Sequence, residues 1–316
     1  MPESQAPRPV RRRLGNGLGL LLLSRPGAAR AAISLRVAAG SHDEPAAYPG
    51  LAHFLEHLVF LGSAAFAPEQ GLMAYVQGCG GQVNASTQAR HTDYFCEVPA
   101  DRLDGALARM LDMLARPLLE PAAQRREREV LHAEFLARGQ DADTLLDAAL
   151  GQALPVDHRG AAFLAGNRDS LPVDSAAFQQ ALRAFHRRFY RAGQLSLVLA
   201  GPQSCAELLS LARRHGDSLP ASARQVQAAP PSLLPCGRGI CAWACAAASP
   251  VCNWASPWSH RRGSGPRRSA RPWGCSSRSC RPARPGAWRP GWRRRDCAVA
   301  SRRAWCIATS VRPCCC

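Results

Sequence analysis

Up to about residue 216 the apolar positions switch between a period of two and a period near 3.6, and the switches mark out elements. Residues 14–23 and 30–39 read as two strands, with a turn signal at Asn16–Gly17 ahead of the leucines. A Pro- and Gly-bearing loop follows. Residues 51–61 then read as a helix that is apolar on most faces and therefore buried. A helix is expected near 70–77, broken by "GCGG", and then two strands centred on 83–87 and 94–98. Residues 101–119 form an amphipathic helix with Leu103, Leu107, Met110, Leu111 and Leu114 on one face. Residues 120–141 give a second helix, with Pro121 near its start. Helical stretches follow at 141–152 and 174–190, the latter capped by Asp174 or Ser175. Residues 195–201 read as a buried strand, and 205–216 as a closing helix ended by Gly216. This order predicts an α+β domain, a mostly antiparallel sheet with helices packed on one face.

Beyond about residue 230 neither period persists. The chain has 316 residues and a formal charge of +17. Residues 236–316 hold 16 Arg against a single acid, Asp296, which leaves 24 Arg and 22 acids before them. Eleven of the 14 cysteines and all seven tryptophans also fall there. The basic character thus belongs to the last quarter of the chain. The expected organisation is a domain at 1–225, a linker at 226–235 and a disordered tail at 236–316.

Three other readings of the tail are weaker. Arginines and tryptophans suit nucleic acid, but no binding motif frames them, so no nucleic-acid partner is expected. A disulfide module needs an oxidising compartment, and Cys79, Cys96 and Cys205 are too scattered to suggest one. Cys241 with Cys245, or residues 314–316, lack a second ligand pair at a familiar metal spacing. Residues 11–30 have a basic start and an apolar run like a signal peptide, but the run at 18–23 is too short. No stretch approaches the roughly 18 apolar residues of a membrane span. A cytoplasmic location is expected, without a membrane partner.

The candidate chemistry sits in "GLAHFLEHLVFLG", residues 50–62. On a helix, positions four apart differ by about 40° in rotation and about 6 Å along the axis. His53 and His57 can therefore face one metal ion. Glu56, rotated by about 100° from His57, can reach a water there without being a ligand. A histidine in a buried helix is ordinarily a hydrogen-bonded core residue. Three polar side chains in one apolar helix each need a partner in a dry setting, which favours a metal site for hydrolysis. A third ligand is required. Glu127 and Glu134 are seven apart and share a face of the 120–141 helix, so either can ligate while the other supports it. Glu129 lies off that face and is expected in solvent. His132, His186 and His215 read as surface or core-edge residues. Cys79 and Cys96 read as core or loop thiols, since no histidine dyad frames them.

"HFLEH" is the inverted zinc motif, and with "GGQVNAST", "REREVLHAEF" and "FHRRFYRAGQLSLVLAG" the chain resembles the pitrilysin/insulysin family of zinc metallopeptidases. The resemblance covers residues 10–235 and implies the LuxS/mitochondrial-processing-peptidase-like metallohydrolase fold. It implies one Zn2+ held by His53, His57 and Glu134, with Glu56 as general base and Glu127 in support. It places Asn84, Ala85 and Ser86 in the substrate groove. Within the family the likeness is to the peptidases of pyrroloquinoline quinone synthesis, implying a PqqA-type precursor peptide as substrate. Family members carry a second domain and a second half that encloses the substrate, and neither is legible here. Residues 236–316 read as an out-of-frame translation of a GC-rich gene. The alternative expectation is an inert, truncated zinc-binding domain, or a non-enzymatic partner of a second pitrilysin-like subunit or half.

Overall fold

The computed structural model describes residues 8–152 and 165–227. The expected tail, and the linker beyond residue 227, lie outside them.

Among the described residues six strands form one sheet: β1 (Val10–Arg13), β2 (Gly19–Ser24), β3 (Arg30–Val37), β4 (Gln82–Thr87), β5 (Thr92–Pro99) and β6 (Leu195–Gly201). Their spatial order is β1-β2-β6-β3-β5-β4. Only the β2–β6 pairing is parallel, so the mostly antiparallel sheet expected from the sequence is present. Strand alternation sets the two faces. Leu20 and Leu22, Ile33 and Leu35, Tyr94 and Val98, and Leu197 and Leu199 are all buried on one face. Their neighbours in sequence are half-buried or exposed.

Among the described residues there are seven α-helices: α1 (Leu51–Leu58), α2 (Leu72–Gly78), α3 (Leu103–Ala115), α4 (Pro121–Arg138), α5 (Ala142–Gln152), α6 (Ala176–Phe189) and α7 (Cys205–Gly216). The five α3 residues expected on one face are all buried. α4 begins with Pro121 in its first turn. Ser175, rather than Asp174, caps α6 by accepting the Phe178 N–H.

Two local expectations need correction. The expected strand at 14–23 begins only at Gly19: residues 14–18 are a turn, closed by the Gly17 N–H on the Leu14 carbonyl, and a further strand, β1, precedes that turn and folds back on β2. β1 escapes a periodicity reading because Arg11, Arg12 and Arg13 are all exposed and show no alternation. Residues 59–61 leave α1, which stops at Leu58, earlier than the expected end at 61. α7 ends at Gly216 as expected, although the residue that follows, Asp217, is right-handed and Gly216 itself makes no left-handed turn. A Cβ at Gly216 would come 2.9 Å from Leu14 Cδ1, so this glycine lets α7 close on the β1–β2 turn.

After α7 the chain stays docked. Gln225 N–H donates to Gln194 Oε1 (2.7 Å), and Gln227 Nε2 donates to Asp43 Oδ2 (3.0 Å) and the Arg90 carbonyl (2.8 Å). Bonded residues therefore reach two positions past the expected domain end at 225.

Candidate metal centre

α1 is short, so it depends on its surroundings. Leu51, Phe54, Leu55 and Leu58 are all buried. Its first-turn N–H groups are met by a carboxylate from the preceding loop: Glu44, itself buried, accepts from Gly50 N (2.9 Å) and Ala52 N (3.0 Å). An anion at a helix N-terminus also complements the helix dipole.

His53 and His57 project from the same side of α1, their ring centroids 4.8 Å apart. Each Nδ1 has an acceptor. His53 Nδ1 donates to the Ala165 carbonyl at 2.8 Å, and His57 Nδ1 to Glu127 Oε1 at 2.7 Å. Because a carbonyl oxygen only accepts, His53 carries its proton on Nδ1, which leaves Nε2 as a lone-pair donor. Glu134 on α4 stands opposite both rings. Its Oε2 is 3.8 Å from His53 Nε2 and its Oε1 3.8 Å from His57 Nε2. One ligand atom from each residue falls within 4.8 Å of the others.

These donors fit a divalent metal. Two imidazole nitrogens and a carboxylate are the donor set of a catalytic zinc site, and Nδ1-bonded acceptors are the usual outer partners. Ligand atoms around a tetrahedral zinc with bonds of about 2.0–2.2 Å stand roughly 3.3–3.6 Å apart. The 3.8 Å separations are close to that span.

Glu56 is buried and outside this set. Its Oε2 accepts the Thr87 hydroxyl. Burial raises its pKa, against the opposing pull of Thr87 and the His57 charge. Burial lowers the pKa of His53, partly offset by Ala165. Burial also works to lower His57, but the Glu127 hydrogen bond and the charges of Glu134, Glu127 and Glu56 outweigh it, so its pKa is raised. Tyr94 and Tyr190 join hydroxyls at 2.9 Å in the core, and burial pushes both far up.

β4 is the outer strand beside α1. At the hairpin mouth Gln88 N–H donates to the His91 carbonyl. Alternation from that pair turns the backbone of Ser86 and Asn84 toward β5 and that of Ala85 outward. The Ala85 N–H accordingly meets Asn84 Oδ1 (2.9 Å) instead of β5.

The structure thus brings together His53, Glu56, His57, Glu127 and Glu134, and sets Asn84, Ala85 and Ser86 on an open edge. Glu129 is exposed and paired with Arg168. His132, His186 and His215 are half-buried at helix edges. The Cys96 thiol is pushed up to about 12 by burial, which suits a core thiol. Sequence reasoning missed Thr87, Glu44 and the Ala165 carbonyl.

Fold and side chains together define an inverted-motif metallopeptidase-like domain. Residues 20–158 match the model "Insulinase (Peptidase family M16)", and residues 178–239 match "Peptidase M16 inactive domain". The chain therefore carries a peptidase family M16 domain. The coenzyme PQQ synthesis protein F of Pseudomonas aeruginosa is 59% identical over 222 residues, 70% of this chain and 29% of that protein. Protease 3 of Escherichia coli strain K12 is 36% identical over 202 residues, 63% of this chain and 21% of that protein. The crystal structure of pitrilysin aligns with a TM-score of 0.65 at 32% identity, over 72% of this chain and 25% of that one. The chain spans less than a third of the length of these relatives.

Proposed function

We propose that this chain is the catalytic domain of a zinc metallopeptidase in which His53, His57 and Glu134 hold the ion and Glu56 moves the proton. The observation that carries this reading is the meeting of two Nε2 atoms and one carboxylate within 4.8 Å, beside a buried carboxyl that is not part of the set. When bound, zinc supplies Lewis acidity, acidifying water and polarising the scissile carbonyl. Glu56 takes the proton from the attacking water and returns it to the leaving amine. Its raised pKa brings it nearer the working pH, as a group that must both accept and donate requires. Thr87 occupies Oε2, which assigns the travelling proton to Oε1. Glu127 keeps the His57 ring turned, and the substrate backbone pairs with β4 along Asn84, Ala85 and Ser86.

The relatives named for coenzyme PQQ synthesis support a small peptide of that pathway, the PqqA precursor, as substrate. A cytoplasmic setting and a second pitrilysin-like half or subunit complete the reading. Among the described residues no helix is long and apolar enough to cross a membrane.

A second reading, a zinc-binding domain that hydrolyses nothing by itself, is favoured by the 29% share of the Pseudomonas aeruginosa relative that the chain spans. Incubation of the zinc-loaded chain with a PqqA-type peptide separates the two. Cleavage that Glu56→Gln abolishes supports the first. A zinc-loaded but silent chain supports the second. A chain that takes up no zinc contradicts both.

A further inference from the structure

The segment at residues 165–171 touches both helices that present the metal-facing side chains. It meets α1 through the Ala165 carbonyl on His53 Nδ1. It also meets the start of α1 through a backbone-to-backbone contact of two glycines. Gly50 and Gly166 both have positive φ, +91° and +75°, and a Cβ on Gly50 would lie 2.2 Å from Gly166 Cα. No side chain fits between them, so the segment lies directly on the first turn of α1. On the α4 side, the Arg168 N–H points at His132 Nδ1 (3.5 Å), and Arg168 Nε donates to Glu129 Oε2 (3.1 Å).

The segment is braced from within. Asn167 Oδ1 accepts from Asp169 N and Ser170 N, both at 2.9 Å, and Ser170 Oγ accepts from Asn167 N at 2.9 Å. Leu171 is fully buried, and Ala165 is 2% exposed. The carbonyl facing His53 is therefore fixed in a dry place, where the imidazole N–H is its matching donor.

We infer that residues 165–171 form a clasp that positions His53 for metal binding: the Ala165 carbonyl fixes the Nδ1–H tautomer, and the Gly50–Gly166 contact, with Arg168 on α4, holds α1 in register with Glu134. The inference rests on the zinc reading above for its consequence, but the tautomer and the clasp belong to the metal-free protein. The clasp explains why Glu129, which lies off the metal-facing side of α4, is tied to residue 168. It also makes Gly166 and Arg168 positioning residues for a centre that neither touches.

The test uses the full chain with 15N-labelled histidine, metal-free and then titrated with zinc against a competing chelator. His53 is assigned by the loss of its signals in His53→Asn. The wild type should show His53 as the Nδ1–H tautomer. Gly166→Ala puts a Cβ 3.0 Å from Leu171 Cδ1 and 3.2 Å from Gly50 Cα at a positive φ. It should let the Nε2–H tautomer appear and weaken zinc binding by about 10-fold or more, the usual effect of losing an outer-sphere partner. Arg168→Gln, at an exposed position, should weaken zinc binding by a smaller factor with the wild-type circular dichroism spectrum. If Gly166→Ala does not fold, Arg168→Gln decides, and wild-type zinc affinity in it overturns the clasp. A folded Gly166→Ala chain with wild-type affinity and tautomer also overturns it, as does a wild type whose His53 is the Nε2–H form. A wild type that binds no zinc yet keeps His53 as the Nδ1–H tautomer, shifted in Gly166→Ala, removes the proposed function and leaves the clasp standing.

Discussion

β1 and β4 are the two outer strands of one sheet, and they meet solvent on opposite terms. β1 is four residues long and carries Arg11, Arg12 and Arg13, all exposed. Charge and shortness are the ordinary means by which a sheet edge is kept from pairing with another chain. β4 is six residues long, Gln82–Thr87, and has no charged side chain. Its outward Ala85 N–H is met only by its neighbour's flexible carboxamide in the described structure. β4 alone also has a buried carboxyl against it, Glu56, held by the strand's own Thr87. An unguarded edge next to a buried carboxyl suits β-strand addition by a peptide, and a guarded edge does not.

The comparison breaks first at Glu56. Glu56→Gln should leave zinc uptake intact and lower peptide hydrolysis by about 10²–10⁴-fold, the range for losing a general base, measured as kcat. Ala85→Pro sharpens the contrast between the edges. Its N–H makes no ladder bond to β5, so the fold should tolerate proline there. Peptide affinity should fall about tenfold, as ~1.4 kcal/mol for one lost backbone hydrogen bond implies. Arg12→Ser on the other edge should leave peptide affinity unchanged, and equal losses in both variants would erase the distinction. Thr87→Val removes the hydroxyl from Glu56 and should lower kcat by less than Glu56→Gln does, with Thr87→Ser restoring it.

The smallest effect lies away from both edges. His186 Nε2 is hydrogen-bonded to the Leu114 carbonyl (2.8 Å), and burial, the leading cause, lowers its pKa below 6.5. The unfolded chain then binds the proton more readily than the folded one. Its contribution to stability is complete above pH of about 6.5 and is lost as pH falls toward the folded pKa. In denaturant titrations, His186→Gln should flatten the acid side of the stability profile and leave zinc affinity alone.

Much of the site is legible in sequence because helix geometry is local. His53, Glu56 and His57 lie within five residues, and the seven-residue spacing of Glu127 and Glu134 marks one face of α4. What is not legible comes from tertiary contact. Thr87 reaches Glu56 across a gap of 31 residues, and no pattern in a strand marks a threonine as a partner for a carboxylate. The Ala165 carbonyl has no residue-type signature at all. Glu44 caps α1 from beyond a loop, where a helix N-terminus ordinarily draws a Ser, Thr, Asp or Asn at its own N-cap position. The same holds for the fold. The elements follow from period, but β6 pairs in parallel with β2 and antiparallel with β3, well over a hundred residues earlier, and periodicity carries no record of that insertion.

The most direct test of the account is the zinc content of the purified chain and of His57→Ala after dialysis against trace chelator. The account predicts one zinc per wild-type chain and none in the variant, with both folded by circular dichroism. A wild type without zinc, or a variant that keeps a full equivalent, would contradict it.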